Sequence, residues 1–98
     1  MSLRNEPVER AATLPDGREL LVRVGVPDDP YVSKRELSTV MAELYEGGRA
    51  LAVATTLLEP DEVGDARELA QEIASRLEEG SIEPTAAAIE PLADRTRG

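Results

Sequence analysis

The chain has 98 residues and a net charge of −9, and it contains no cysteine, histidine, phenylalanine or tryptophan. This length fits one domain, residues 1–98, with residues 1–6 and 96–98 expected to fray. The composition excludes disulfides, thiolate nucleophiles, histidine bases and the usual zinc sites, and the charge argues against binding to nucleic acid or to an anionic membrane surface.

The first predicted element is a β-hairpin. Residues 8–13 form a candidate strand, and residues 14–17, Leu-Pro-Asp-Gly, have the composition of a type I turn that ends in a left-handed glycine. Residues 19–26 alternate between apolar and other side chains, as a half-buried strand does. One face of this second strand would carry Leu20, Val22, Val24 and Val26, and Pro27 would end it.

A helix is predicted next. Residues 33–36, Ser-Lys-Arg-Glu, match a capping box, with Ser33 as the N-cap. An apolar stripe at helical spacing follows. We interpret the glycine pair Gly47-Gly48 as the end of this helix, because glycine readily adopts the left-handed conformation found there. The stripe consists of Leu37, Val40, Met41 and Leu44.

Residues 50–58 are ambiguous between strand and helix. Alanine and leucine favour a helix, whereas valine and threonine favour a strand. The length of the segment, the glycines before it and Pro60 after it favour a mostly buried strand. With a strand here, the preceding helix would form a right-handed crossover.

Two helices are predicted in the last third of the chain. Residues 65–68 form a second capping-box pattern, the stripe of Leu69, Ile73 and Leu77 follows, and Gly80 ends the helix. A short helix is expected over residues 84–90, with a possible further turn to residue 94, because Pro91 should break or kink it.

The predicted fold is therefore α+β: a two-layer sandwich in the order ββαβαα, in which the hairpin and a third strand form a small sheet beside two or three helices. With so few aromatic residues, the core must be aliphatic and thin, so either the stability is modest or a partner surface completes the core, and we favour a homodimer. The predicted core comprises Leu20, Val22, Val24, Val26, Leu37, Val40, Met41, Leu44, Leu51, Val53, Leu57, Leu69, Ile73, Leu77 and Ile89.

Asp28 and Asp29 are weak candidates for a divalent-metal site. They lie between a predicted strand end and a predicted helix start, and carboxylates are ligands that such cations prefer. A simple turn, in which the aspartates cap backbone groups, is the favoured interpretation.

Charged side chains supply the weak candidates for an interaction surface. Glu68, Glu72 and Glu79 belong to an acidic stretch that could dock a basic partner, although a solvated helix face is the favoured interpretation. Arg23 and Arg49 could pair with acids of a second subunit or bind an anion, although protection of a sheet edge is favoured.

These observations predict a small non-catalytic protein-interaction or regulatory module that forms a homodimer, with a further protein partner possible. The alternative is a carboxylate-based metal-binding protein or enzyme using Asp28 and Asp29. No catalytic residue, cofactor, nucleic-acid partner or membrane partner is predicted. We expect a cytoplasmic location, because residues 1–7 lack the apolar stretch of a signal peptide.

Overall fold

A computed structural model describes Leu3, residues 6–27 and residues 39–95 of the protein. The described residues form an α+β unit in which a four-stranded antiparallel sheet, in the order β1-β2-β3-β4, is covered on one face by two helices. None of the described helices is long and apolar enough to cross a membrane. The elements are β1 (Val8–Thr13), β2 (Glu19–Gly25), β3 (Met41–Glu46), β4 (Arg49–Thr55), α1 (Val63–Glu79) and α2 (Ala86–Arg95).

The predicted β1–β2 hairpin is confirmed. The N–H of Gly17 donates to the carbonyl of Leu14 over 2.9 Å, and the N–H of Leu14 donates to the carbonyl of Arg18 over 2.8 Å. Gly17 has a φ of 93°, which a side chain would resist, so glycine is required at this position. The two strands pair antiparallel without a register shift, with Ala12 opposite Leu20.

The predicted helix before the glycine pair is wrong where the structure describes it. Met41–Glu46 is strand β3, which pairs with β2 and β4 on its two sides. Val40, Ala42 and Leu44 are buried while the residues between them are half-buried, so the segment also carries the two-residue period of a strand. Hydrogen bonding to β2 on one side and to β4 on the other stabilises the strand over the helix. The capping box of residues 33–36 and Leu37 lie outside the described residues.

Gly47-Gly48 forms the turn of a second hairpin and does not end a helix. The φ angles of 57° and 82° are those of a two-residue type I′ turn, which requires positive φ at both central residues. The strands on either side pair antiparallel, with Glu46 opposite Arg49. The element order is therefore ββββαα and not ββαβαα, and no right-handed crossover connects these strands.

Strand β4, Arg49–Thr55, confirms that the segment 50–58 contains a strand, although residues 56–58 lie beyond its end. The burial of the segment differs from the prediction. Ala52 and Ala54 face the helices and are buried. The larger apolar side chains, predicted to be core, are instead exposed, because β4 is the last strand of the described sheet and the helices cover only its other face. The exposed fractions are 39% for Leu51, 41% for Val53 and 57% for Leu57.

Both helices depart from their predicted starts or ends. Helix α1 begins at Val63 after Glu62, which makes no side-chain capping bond, so the predicted capping box of residues 65–68 lies inside the helix. Its end at Gly80, with a φ of 75°, is as predicted. Helix α2 continues through Pro91, which lacks the N–H of one helical hydrogen bond, instead of ending before it.

The core lies between the helices and the inner face of the sheet. Helix α1 packs against β1 and β2, and α2 packs against β4 and α1. Leu3, which was not predicted to be core, is 1% exposed, and its N–H donates to the carbonyl of Pro60 over 2.7 Å. Met41 is only half-buried, on the other side of the sheet. The largest fully buried side chains are Leu3, Val22, Val24, Val40, Leu44, Leu69, Ile73, Leu77 and Ile89.

Candidate interaction surface

The sheet has an outer face that neither helix covers. The side chains on this face alternate with the buried ones, and several of them are large and apolar. Leu21 and Tyr45 are half-buried near its middle and lie opposite each other in the register. Val53 and Leu51 extend the apolar surface to the β4 side. This face is therefore an apolar surface of the described residues that the fold does not itself bury.

A row of polar contacts crosses the outer face. The register places Glu9, Arg23 and Glu43 side by side on three adjacent strands. The guanidinium of Arg23 binds the carboxylate of Glu9 at 2.7 Å and lies 4.9 Å from the centre of the Tyr45 ring. The hydrogen bond that Arg23 donates to the carboxylate of Glu9 raises the pKa of Arg23 above its ordinary value. These contacts hold the long side chains flat against the sheet, and the apolar surface beside them stays open.

The hydroxyl of Tyr45 donates a hydrogen bond to the carboxylate of Glu43 over 2.8 Å. Because this bond favours the neutral phenol, and because the side chain is partly desolvated, the pKa of Tyr45 is raised above its ordinary value of 10.0. The nearby Arg23 opposes the shift without cancelling it.

A pH titration of tyrosine absorbance in Tyr31→Phe, in which Tyr45 is the one remaining tyrosine, should therefore give a midpoint above 10.0. Adding Glu43→Gln should bring the midpoint down, because an amide carries no negative charge to oppose ionisation of the phenol. Adding Glu6→Gln, a change at an exposed residue before β1, should leave the midpoint where it was. Equal midpoints for all three proteins would contradict the Tyr45–Glu43 bond.

A shallow groove of about 570 Å³ lies on the outer face between β1, β2 and the β3–β4 turn. Its lining includes Leu21, Arg23 and Tyr45, together with Gly47 and Gly48. A second ion pair closes the end of the sheet nearby, where Arg18 binds Glu46 at 2.8 Å. The hydrogen bond from Arg18 lowers the pKa of Glu46. These contacts tie charged side chains to one another and assemble no nucleophile with a base.

The outward edge of β4 presents backbone groups that no strand of the described residues pairs. The N–H of Thr56 donates to the carbonyl of Val40 over 2.9 Å, and the register makes these two residues opposite neighbours. Antiparallel pairs alternate between bonded and non-bonded, so Ala54 also directs its backbone groups at β3. Val53 and Thr55 therefore direct theirs away from the sheet, where no strand of the described residues pairs with them.

The same segment is uncharged in a strongly acidic protein. Residues 50–58, Ala-Leu-Ala-Val-Ala-Thr-Thr-Leu-Leu, contain no charged side chain and no proline. Arg49 stands before this segment and Glu59 after it. Natural sheets usually protect an exposed edge with charges, proline or a covering element. By contrast, β1 at the opposite edge carries the charged side chains of Glu9 and Arg10.

Among the described residues, the predicted site residues lie on two elements of the fold, helix α1 and the sheet. Glu68, Glu72 and Glu79 are exposed on α1, where Glu72 forms an ion pair with Arg76 at 3.3 Å. Arg23 lies on the outer face of the sheet and Arg49 at the start of β4. The metal candidates Asp28 and Asp29 lie outside the described residues. Sequence analysis missed the exposed apolar surface of β4, although its lack of charge was a visible signal.

No catalytic or metal-binding constellation stands out in the part of the chain that the structure describes. There, no group of three or more carboxylates is placed to hold a metal ion, and every buried side-chain nitrogen or oxygen has a hydrogen-bond partner. Comparison of the chain with protein-family models, curated proteins and solved structures finds no match. No family therefore assigns a role to the outer face or to the β4 edge.

Proposed function

We propose that the protein is a small non-catalytic interaction module that works as a homodimer, and that its two copies meet at the β4 side of the outer sheet face. One observation carries this proposal: Leu51, Val53 and Leu57 are exposed together on one uncharged segment. Isolated exposed leucines are ordinary, but contiguous apolar side chains are typical of a contact surface.

Electrostatics supports this location. Each copy carries a net charge of −9, so two copies repel each other over most of their surfaces. The acidic helix α1 is a poor meeting point, because its exposed Glu68 and Glu79 would face like charges. Residues 50–58 can approach a second copy without this repulsion and without desolvating a charged group.

The apolar surface is also large enough to matter. Burying a fully exposed valine or leucine side chain stabilises an interface by about 1.5–3 kcal/mol. Leu51, Val53 and Leu57 are 39–57% exposed, so each can contribute only part of that energy, and a two-fold axis counts each residue twice. Leu51, Val53 and Leu57 of both copies would together offset part of the entropy lost on association. The described core is built from aliphatic side chains alone, so added apolar burial would also stabilise each copy.

Sedimentation equilibrium over a range of concentrations tests the proposal with two matched variants. The wild-type protein should fit a monomer–dimer equilibrium. Val53→Glu should weaken the dimer by about 100-fold or more, because it places two like charges near the contact. Ala11→Glu adds the same charge to the outer face on β1, at the far side of the sheet, and should leave the dimer unchanged.

A wild-type protein that stays monomeric at every concentration would overturn the proposal. A dimer that Ala11→Glu weakens as much as Val53→Glu would also contradict the β4 location, because both variants would then act through net charge alone. Circular dichroism spectra of both variants should match the wild-type spectrum, since Val53 and Ala11 are exposed.

A further inference from the structure

We infer that the two copies join edge to edge, their β4 strands pairing antiparallel about a two-fold axis at Ala54 to form one continuous sheet. This inference rests on the proposed homodimer and adds the geometry of its contact. The occupant of the open edge is a second copy of this chain, because the segment is complementary to itself in backbone, side chains and charge.

The backbone of β4 is prepared for such a pairing. Val53 and Thr55 direct their N–H and C=O groups outwards. This follows because Thr56 forms a hydrogen-bonded pair with Val40, and every second residue of β4 then points its backbone groups away from β3. An axis at Ala54 places Val53 opposite the partner's Thr55. Each bonded antiparallel pair exchanges two N–H···O=C bonds, and the symmetry axis repeats the pair. The backbone groups of both residues are satisfied by this arrangement.

The register follows from the pleat and from a bulge. Residues opposite each other in a sheet must point to the same face. A two-fold axis between two residues of β4 would pair residues of opposite faces, so the axis must pass through a residue. The β3–β4 register shifts between Leu44 and Tyr45, which leaves Leu51 as an extra residue on β4. A bulge locally disrupts pairing, so the axis belongs as far from it as the strand allows. Within Arg49–Thr55, Ala54 is the position farthest from the bulge that still has a strand residue on each side. These two residues, Val53 and Thr55, then pair with each other across the axis.

The side chains agree with this register. Leu51 comes beside the partner's Leu57, which puts the two exposed leucines together. An antiparallel arrangement also brings the end of the segment that carries Arg49 next to the end that carries the partner's Glu59. These charges are opposite, whereas a parallel arrangement would place like charges together.

Disulfide trapping tests the register directly, because the natural chain contains no cysteine. Val53→Cys mixed with Thr55→Cys should give a crosslinked heterodimer under mild oxidation, since bonded pairs have Cα atoms about 5.5 Å apart. Val53→Cys alone should crosslink at least about tenfold more slowly, because its two copies would lie roughly 8–9 Å apart, beyond disulfide reach. Ala11→Cys alone should not crosslink. Faster crosslinking of Val53→Cys alone than of the mixture would overturn the register.

Proline substitution tests the backbone pairing. Val53→Pro removes an N–H that points out of the sheet, so the fold should persist while the dimer weakens about tenfold or more. Ala54→Pro removes an N–H that bonds β3 and should unfold the protein, which a circular dichroism melt would show. Crosslinking of Val53→Cys with Thr55→Cys measures the β4–β4 pairing independently, because these substitutions do not change the backbone.

The outcomes separate this inference from the proposed function. A Val53→Pro dimer as tight as the wild type, with Val53→Glu still disruptive, would mean that the outer faces meet and the edges do not. The edge pairing would then be wrong and the homodimer would stand. A monomeric wild-type protein would remove both.

Discussion

Leu44→Ala is expected to lower the free energy of unfolding by about 2–5 kcal/mol. Leu44 is fully buried at the centre of the sheet, between Val22 on β2 and Ala52 on β4. Removal of its side chain loses apolar burial and leaves a cavity, because neighbours held in an ordered sheet relax only partly. Its neighbours across the sheet are small enough that they cannot fill the space.

Chemical denaturation of Leu44→Ala beside Leu21→Ala measures this effect. Leu21 lies on the next strand but on the outer face, where it is half-buried, so its truncation should cost about 1 kcal/mol. Unfolding should be followed at a protein concentration where the monomer dominates, because dimerisation would add stability to both variants. Equal losses for the two variants would contradict the finding that one face of the sheet is covered and the other is open.

Gly25→Ala is expected to lower the free energy of unfolding by about 1–3 kcal/mol. A Cβ added at Gly25 would lie 2.7 Å from Cβ of Pro7 and 3.0 Å from its Cα. The first distance is shorter than Cβ contacts tolerate, and the second is tighter than most of them and involves a backbone atom, so Pro7 would have to move away. Leu3 lies in the same N-terminal segment, and its carbonyl accepts a bond from the N–H of Val26 over 3.5 Å.

Gly64→Ala is the matched control, and its effect should have the opposite sign. Gly64 lies in the first turn of α1, and a Cβ added there meets nothing within 4 Å. Alanine favours a helix over glycine by up to about 1 kcal/mol, so this variant should be slightly more stable than the wild type. Thermal melts of the two variants measure the contrast. A Gly25→Ala protein as stable as Gly64→Ala would contradict the close packing of Pro7 against β2.

The parts of the fold that sequence could predict are those that local chemistry determines. Pro15 and Gly17 specify the first hairpin turn, and Gly80 specifies the end of α1, each within a few residues. Strand β3 could not be predicted, because Val40, Met41 and Leu44 fit a helix as well as a strand. Pairing decided between them: β2 lies well before β3 in the chain, and β4 pairs with β3 only because Gly47-Gly48 forms a hairpin turn, where the sequence pattern predicts a helix end.

The candidate surface was hidden for the same reason. Alternation along β4 shows that Val53 and Ala54 face opposite sides, but it does not show which side is covered. That depends on the strand order, which places β4 last, and on the position of α2. The apolar residues of the segment were therefore assigned to the core. Its missing charges were informative only once the edge was known to be open.

The two edges of the sheet are unlike, and this difference limits how far association can proceed. Endless growth requires that a subunit offers a binding edge at both ends, so that each addition leaves a new one. Here residues 50–58 on the β4 side carry no charged side chain, while β1 carries Glu9 and Arg10. When two β4 strands pair, both uncharged edges are consumed, and the outermost strands of the joined sheet carry charged side chains. The assembly would stop at two chains and not lengthen into a fibre.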